Sequence, residues 1–147
     1  MVMITKTFSE LTTDELYEIL RVRNEVFVVE QECMYLDLDN KDQNAVHLFT
    51  TENNVITAYL RILEKGQTFD EISIGRVLVT KEGRGKGHAK TLMIKAIDHV
   101  FNTLGETSIR ISAQEYLLEF YASLGFKKVS DSYLEDDIPH IEMLLTM

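Results

Sequence analysis

The stretch Val77-Leu78-Val79-Thr80-Lys81-Glu82-Gly83-Arg84-Gly85-Lys86-Gly87-His88-Ala89 constrains this chain more than any other. An apolar run rich in β-branched residues passes through three glycines, interleaved with Arg84 and Lys86, straight into an amphipathic pattern. In that pattern Ala89, Leu92, Met93, Ala96, Ile97, Val100 and Leu104 recur with a period of about 3.6 residues, until Gly105 stands where a helix C′ residue belongs. A buried strand entering a helix through a glycine loop demands an α/β fold. It also gathers unpaired backbone N–H groups and the positive end of a helix at one point. Such a point binds phosphate, and glycines let the backbone close around an anion.

The rest of the pattern fits an α/β chain with a mixed sheet. Met3–Phe8 reads as a first strand, and Thr12 or Thr13 as the N-cap of a helix with Asp14 and Glu15 in its first turn. Leu16, Ile19, Leu20 and Phe27 form its apolar stripe, which Arg23 shares, and Val26-Phe27-Val28-Val29 weakens its end. Residues 30–44 are a long polar segment, of a length that in one domain is functional or folded on itself. Val46–Thr51, Val55–Leu63 and Ile72–Thr80 read as a meander. Ser108–Ala113 is a further strand; Leu117, Phe120, Tyr121 and Leu124 mark a short helix closed by Gly125. Lys127–Ser130 and Ile138–Leu145 are the last strands.

The chain has 147 residues and one proline, without a linker or repeat, so a single domain over 1–147 is expected. Its net charge of −9 disfavours a nucleic-acid partner, because phosphate polymers are held by basic surface. Any anion must be held locally, against the global charge. One cysteine, Cys33, excludes an internal disulfide, and the N-terminus lacks an apolar signal core. No run approaches the ~20 apolar residues of a membrane span. These features point to the cytoplasm.

The glycine loop fails two phosphate motifs. With Thr91 as the hydroxyl residue, a P-loop would need glycine where Arg84 and Ala89 stand. A dinucleotide fingerprint from Gly83 or Gly85 meets His88 or Lys90 in place of its third glycine. Arg84-x-x-Gly87-x-Ala89 does fit the acetyl-CoA loop, Arg/Gln-x-x-Gly-x-Gly/Ala, of the GNAT superfamily of N-acetyltransferases, which this sequence resembles over nearly its whole length. Phe120-Tyr121-Ala122-Ser123-Leu124-Gly125-Phe126 is similar to that family's FY-x-x-x-GF segment. VFVVEQ (26–31), LDLDNKD (36–42), IGRVLV (74–79), SAQ (112–114) and YLEDDIPHIEM (133–143) resemble the ElaA-like subgroup.

The resemblance implies a mixed, mostly antiparallel sheet flanked by helices, its fourth and fifth strands splayed around the pantetheine arm of acetyl-CoA. It implies that Val77, Leu78 and Val79 supply the strand beside that arm, and that Arg84, Gly85, Lys86, Gly87, His88, Ala89 and Lys90 surround the pyrophosphate. Gln114 would stand beside the pantetheine, and Tyr121 would protonate the departing thiolate. The reaction is attack of a neutral amine on the thioester, with no metal. Phe27, Glu30, Gln31, Tyr35, Arg76 and His140, together with Arg23, are candidates for the acceptor side. Glu30, Glu71, His47 and His140 are candidate general bases, and a water chain is the other option. For Phe27 a core role, and for Arg23 and Arg76 an ion-pair role, compete on equal terms. Dimers are common in the family. The alternative function is a non-catalytic acyl-CoA-binding or regulatory module.

Other signals fail. Asp37-x-Asp39 lacks the glycine and glutamate of a calcium loop, the four histidines and Cys33 have no zinc spacing, and no nucleophile elbow occurs. Glu135-Asp136-Asp137 reads as a solvated turn that would also suit a cationic amine.

Overall fold

The structure, a computed structural model, describes residues 1–147. Its elements are β1 (Val2–Thr7), α1 (Thr13–Arg23), β2 (Val46–Glu52), β3 (Val55–Leu63), β4 (Ile72–Val79), α2 (His88–Asp98), β5 (Ser108–Gln114), α3 (Leu118–Ser123), β6 (Lys127–Lys128), β7 (Tyr133–Glu135) and β8 (Ile138–Thr146). They build one sheet in the order β1-β2-β3-β4-β5-β8-β6, with β7 paired to β8. Every pairing is antiparallel except β4 with β5. The mixed, mostly antiparallel α/β architecture is as expected. β7 is an addition. It turns back into β8 through Asp136 and Asp137 at φ +51° and +62°, a conformation that Asp tolerates better than most residues.

Both faces of the sheet are covered. α2 and α3 lay Leu92, Met93, Ala96 and Tyr121 on one face, against Leu60, Ile62, Ile109 and Ile141. α1 lays Ile19 and Val22 on the other, against Phe49, Tyr59 and Leu78. Thr12 caps α1, its hydroxyl accepting from the Glu15 N–H at 3.1 Å while the Glu15 carboxylate accepts from the Thr12 N–H. Beyond Arg23 the helix continues to Glu30 as a wider π-helical segment, through the β-branched run. α2 likewise widens over His99–Thr103, which leaves Leu104, expected on the apolar stripe, 41% exposed. No helix is long and apolar enough to cross a membrane.

Two bulges shape the centre of the sheet. In β4 one extra residue lies between the pairs Tyr59–Leu78 and Arg61–Gly75, and Arg76 adopts φ +51°. A bulge bends its strand. β4 pairs with β5 only at Ile72 and Ser73 and then diverges from it, opening the expected gap. In β3 the extra residue is Thr57. Its carbonyl accepts from the Thr80 N–H at 2.9 Å, and a Cβ on Gly83 would fall 2.6 Å from that carbonyl oxygen. Gly83 therefore serves close packing of the loop onto β3.

Residues 30–44 are tied down by charge. Arg23, wholly buried, donates to Asp37 at 2.9 Å and to Asp42 at 2.6 Å. Arg61 donates to Asp39 and Asp42, both at 2.9 Å, and Arg76 to Asp37 at 2.8 Å. Three arginines thus neutralise three aspartates. His47, also wholly buried, bridges the Tyr59 hydroxyl (2.7 Å) and the Asp42 carbonyl (2.9 Å).

Burial opposes the charge of Asp39 and Asp42, but hydrogen bonds from Arg61 and Arg23 outweigh it and hold both below the usual carboxylate range. Burial lowers His47 and His99. In each case the unfolded chain binds more protons, so stability rises with pH. The melting temperature should be level between pH ~7 and ~8, fall as the pH drops through ~6.5, and fall again below ~4. A melting temperature that climbs between pH 7 and 5 would contradict this.

Candidate active site

The gap between β4 and β5 is the floor of a cleft of about 390 Å³. Gly75, Arg76 and Val77 line it from β4, Ser112 and Gln114 from β5. Phe27, Glu30, Gln31 and Tyr35 close it from the end of the first helix and the loop that follows, with Tyr116 and Tyr121 on the α3 side. Glu135, Asp136 and His140 come from the β7–β8 hairpin. The sequence therefore located most of the wall. It missed Ser112 and Tyr116, and it read Glu135 and Asp136 as a solvated turn. Their signal was the acidic turn itself, placed here because β7 folds back on β8.

The glycine loop stands at one end of this cleft, where Arg84 joins the lining. Gly85 and Gly87 take φ +80° and +74°, and Gly87 is the N-cap of α2. The backbone N–H groups from Gly85 to Lys90 find no acceptor in the chain. They lie at the positive end of α2, an arrangement suited to an anion. The Lys86 ammonium and the His88 ring both reach Glu52, at 3.1 and 3.2 Å, and His88 also meets the Thr57 hydroxyl at 3.1 Å. With only 5% of its surface exposed, the His88 side chain anchors the loop. Ala89 and Lys90 form the first turn of α2.

Several expectations change. Leu78 packs into the α1 core, away from the cleft. Val79 offers its carbonyl to Arg84 Nε at 3.2 Å. Arg23 lies under the sheet's charge network and does not line the cleft. Arg76 does line it, but its guanidinium is committed to Asp37 and stacks over Tyr35, whose hydroxyl donates to Asp37 at 2.9 Å. Of the four candidate bases, His47 is sealed in the core and Glu71 is held by Arg110 at 3.0 and 3.1 Å. Glu30 and His140 remain in the cleft. His140 Nδ1 donates to the Ile138 carbonyl at 2.7 Å, and its Nε2 stands 3.4 Å from the Glu135 carboxylate. Gln114 reaches Gln31 at 3.4 Å, joining β5 to the first helix across the cleft.

Tyr121 is buried in the cleft wall, edge-on to Phe120 and Phe126. Burial, and then the neighbouring Tyr116, push its phenol well above the ordinary tyrosine value. It therefore keeps its proton across the neutral pH range.

A mixed sheet split between its two parallel neighbours, with a glycine loop and helix N-terminus at the mouth of the split, defines the acyl-CoA N-acyltransferase fold. A crystal structure of an acyl-CoA N-acyltransferase from Pseudomonas aeruginosa superposes with a TM-score of 0.93, at 37% identity, covering 99% of both chains. Residues 9–147 match the Acetyltransferase (GNAT) domain, and the chain belongs to that family. Within it the chain is ElaA-like. Protein ElaA of Escherichia coli is 38% identical over 92% of this chain and 90% of its own length, and its crystal structure superposes with a TM-score of 0.91. A relative in Schizosaccharomyces pombe is 39% identical over 98% of this chain and 96% of its own.

Proposed function

We propose that this GNAT-family N-acyltransferase uses acetyl-CoA to acetylate a primary amine by direct attack on the thioester. The observation that carries the reading is a convergence on one cleft: an unpaired β4 edge, the acceptorless N–H run from Gly85 to Lys90, and a protonated Tyr121. The unpaired edge suits an extended pantetheine arm, whose amides pair with main chain at Val77. The N–H run suits a pyrophosphate, to which Lys86 and Lys90 add charge. Tyr121 gives its proton to the departing sulfur as the C–N bond forms and the C–S bond breaks, and the proton lost by nitrogen restores it. The cleft supplies position and a proton path, and this route calls for no metal. The name of the P. aeruginosa structure supports acyl-CoA as donor. The free thiol of Cys33 supports the cytoplasm as its compartment.

The test is calorimetry with acetyl-CoA, followed by thiol release across a panel of primary amines. Wild type should bind acetyl-CoA and turn over at least one amine. Gly87→Glu forces a side chain into a left-handed position and sets a carboxylate at the anion point. It should weaken acetyl-CoA by about 100-fold or more. A folded wild type that ignores acetyl-CoA would overturn the reading. Binding without turnover on any amine would turn it into the non-catalytic module.

A further inference from the structure

Two groups that the family resemblance assigns to different substrates are bonded to each other. Arg84, from the glycine loop, donates through Nη2 to Glu30 Oε1 and through Nε to the Val79 carbonyl. Its guanidinium therefore spans the mouth of the cleft, from the end of β4 to the end of the first helix. Glu30 Oε2 is buried and has no partner in the chain. A carboxylate oxygen in that position is costly unless a cation or donor meets it. Arg84 is the only cation on Glu30; the other arginine of the cleft, Arg76, is spent on Asp37 and Asp39.

We propose that Arg84 is shared between two anions, Glu30 and the pyrophosphate of acyl-CoA, so that acyl-CoA binding hands the Glu30 carboxylate to the acceptor amine. This rests on the acyl-CoA reading of the glycine loop. Arg84 belongs to the loop whose N–H groups converge on the anion point, and a guanidinium turned to a phosphate there no longer holds Glu30. Glu30 is then a half-desolvated carboxylate facing Glu135 and Asp136 across the cleft, with no cation of its own. A primary ammonium satisfies it. The ammonium donates to Glu30, passes it one proton, and becomes the neutral amine whose lone pair forms the C–N bond; Glu30 then releases that proton to water. His140 fits this role less well, because both of its ring nitrogens already face acceptors, the Ile138 carbonyl and the Glu135 carboxylate.

The test is a double-mutant cycle on Glu30→Gln and Arg84→Ala, read by acetyl-CoA calorimetry, with turnover measured on the fastest amine of the panel. Arg84 is 46% exposed, so the pair is worth no more than an exposed ion pair. Glu30→Gln should bind acetyl-CoA about three- to fivefold more tightly than wild type while kcat falls about 100-fold. In the Arg84→Ala background the same change should leave acetyl-CoA affinity nearly unaltered. Equal tightening in both backgrounds would mean plain repulsion between Glu30 and the phosphates, and would overturn the proposal. So would no tightening at all, or a kcat that survives. Failure of the function reading looks different: wild type itself then binds no acetyl-CoA, with all variants folded.

Discussion

Arg23→Met is expected to lower stability by about 3–5 kcal/mol, the range for removing one member of a buried ion network. Arg23 is wholly buried and binds two carboxylates and the Asp37 carbonyl, the last at 3.1 Å. Methionine fills much of the volume but supplies none of these donors. Asp37 keeps Arg76 and Asp42 keeps Arg61, so neither carboxylate is abandoned, yet each loses a short charged bond inside the protein. For a chain of this length the loss corresponds to a melting temperature about 10 °C lower. Arg23→Lys keeps the charge but cannot fork between Asp37 and Asp42, and should fall between wild type and Met. The damage reaches the cleft, because Asp37 also holds the Tyr35 hydroxyl and Arg76, both part of its wall. A loss below about 1 kcal/mol would show that the network fixes a conformation without stabilising the fold.

That network marks the boundary of what the sequence discloses. Periodicity placed Arg23 on the buried face of its helix, and the strand and helix patterns placed β4, α2 and β5 within a residue or two. These are local signals, set by neighbours along the chain. The partners of Arg23 lie 14 and 19 residues away, and those of Arg76 up to 39. No spacing rule joins them. LDLDNKD looked like a failed calcium loop, whereas its aspartates each face an arginine from another element. The same reason hides the bulge at Arg76, which depends on register against β3, and the short β7. The cleft was legible through the glycine loop and the FY-x-x-x-GF segment, both contiguous in sequence. The pairing of Arg84 with Glu30 spans 54 residues and could only be seen in three dimensions.

Tyr121→Phe should lower kcat by about 100-fold or more, the usual contribution of a general acid, while acetyl-CoA affinity changes by less than about threefold. The substitution removes one hydroxyl and keeps the ring that packs against Phe120 and Phe126, so the melting temperature should hardly move. Its expected size follows from the leaving group. A thiolate with a pKa near 8.5 departs tolerably without help, so the acid is worth a few factors of ten rather than the whole rate enhancement. The pH profile separates the acid from the amine. Wild-type kcat should rise towards alkaline pH as the bound ammonium gives up its proton more readily. Burial has raised Tyr121 above its ordinary value, so its deprotonation adds no falling limb below pH ~10. The Phe variant should show the same rising limb at a lower plateau. If its kcat stays within about threefold of wild type, Tyr121 packs α3 onto the sheet and the thiolate takes its proton from water.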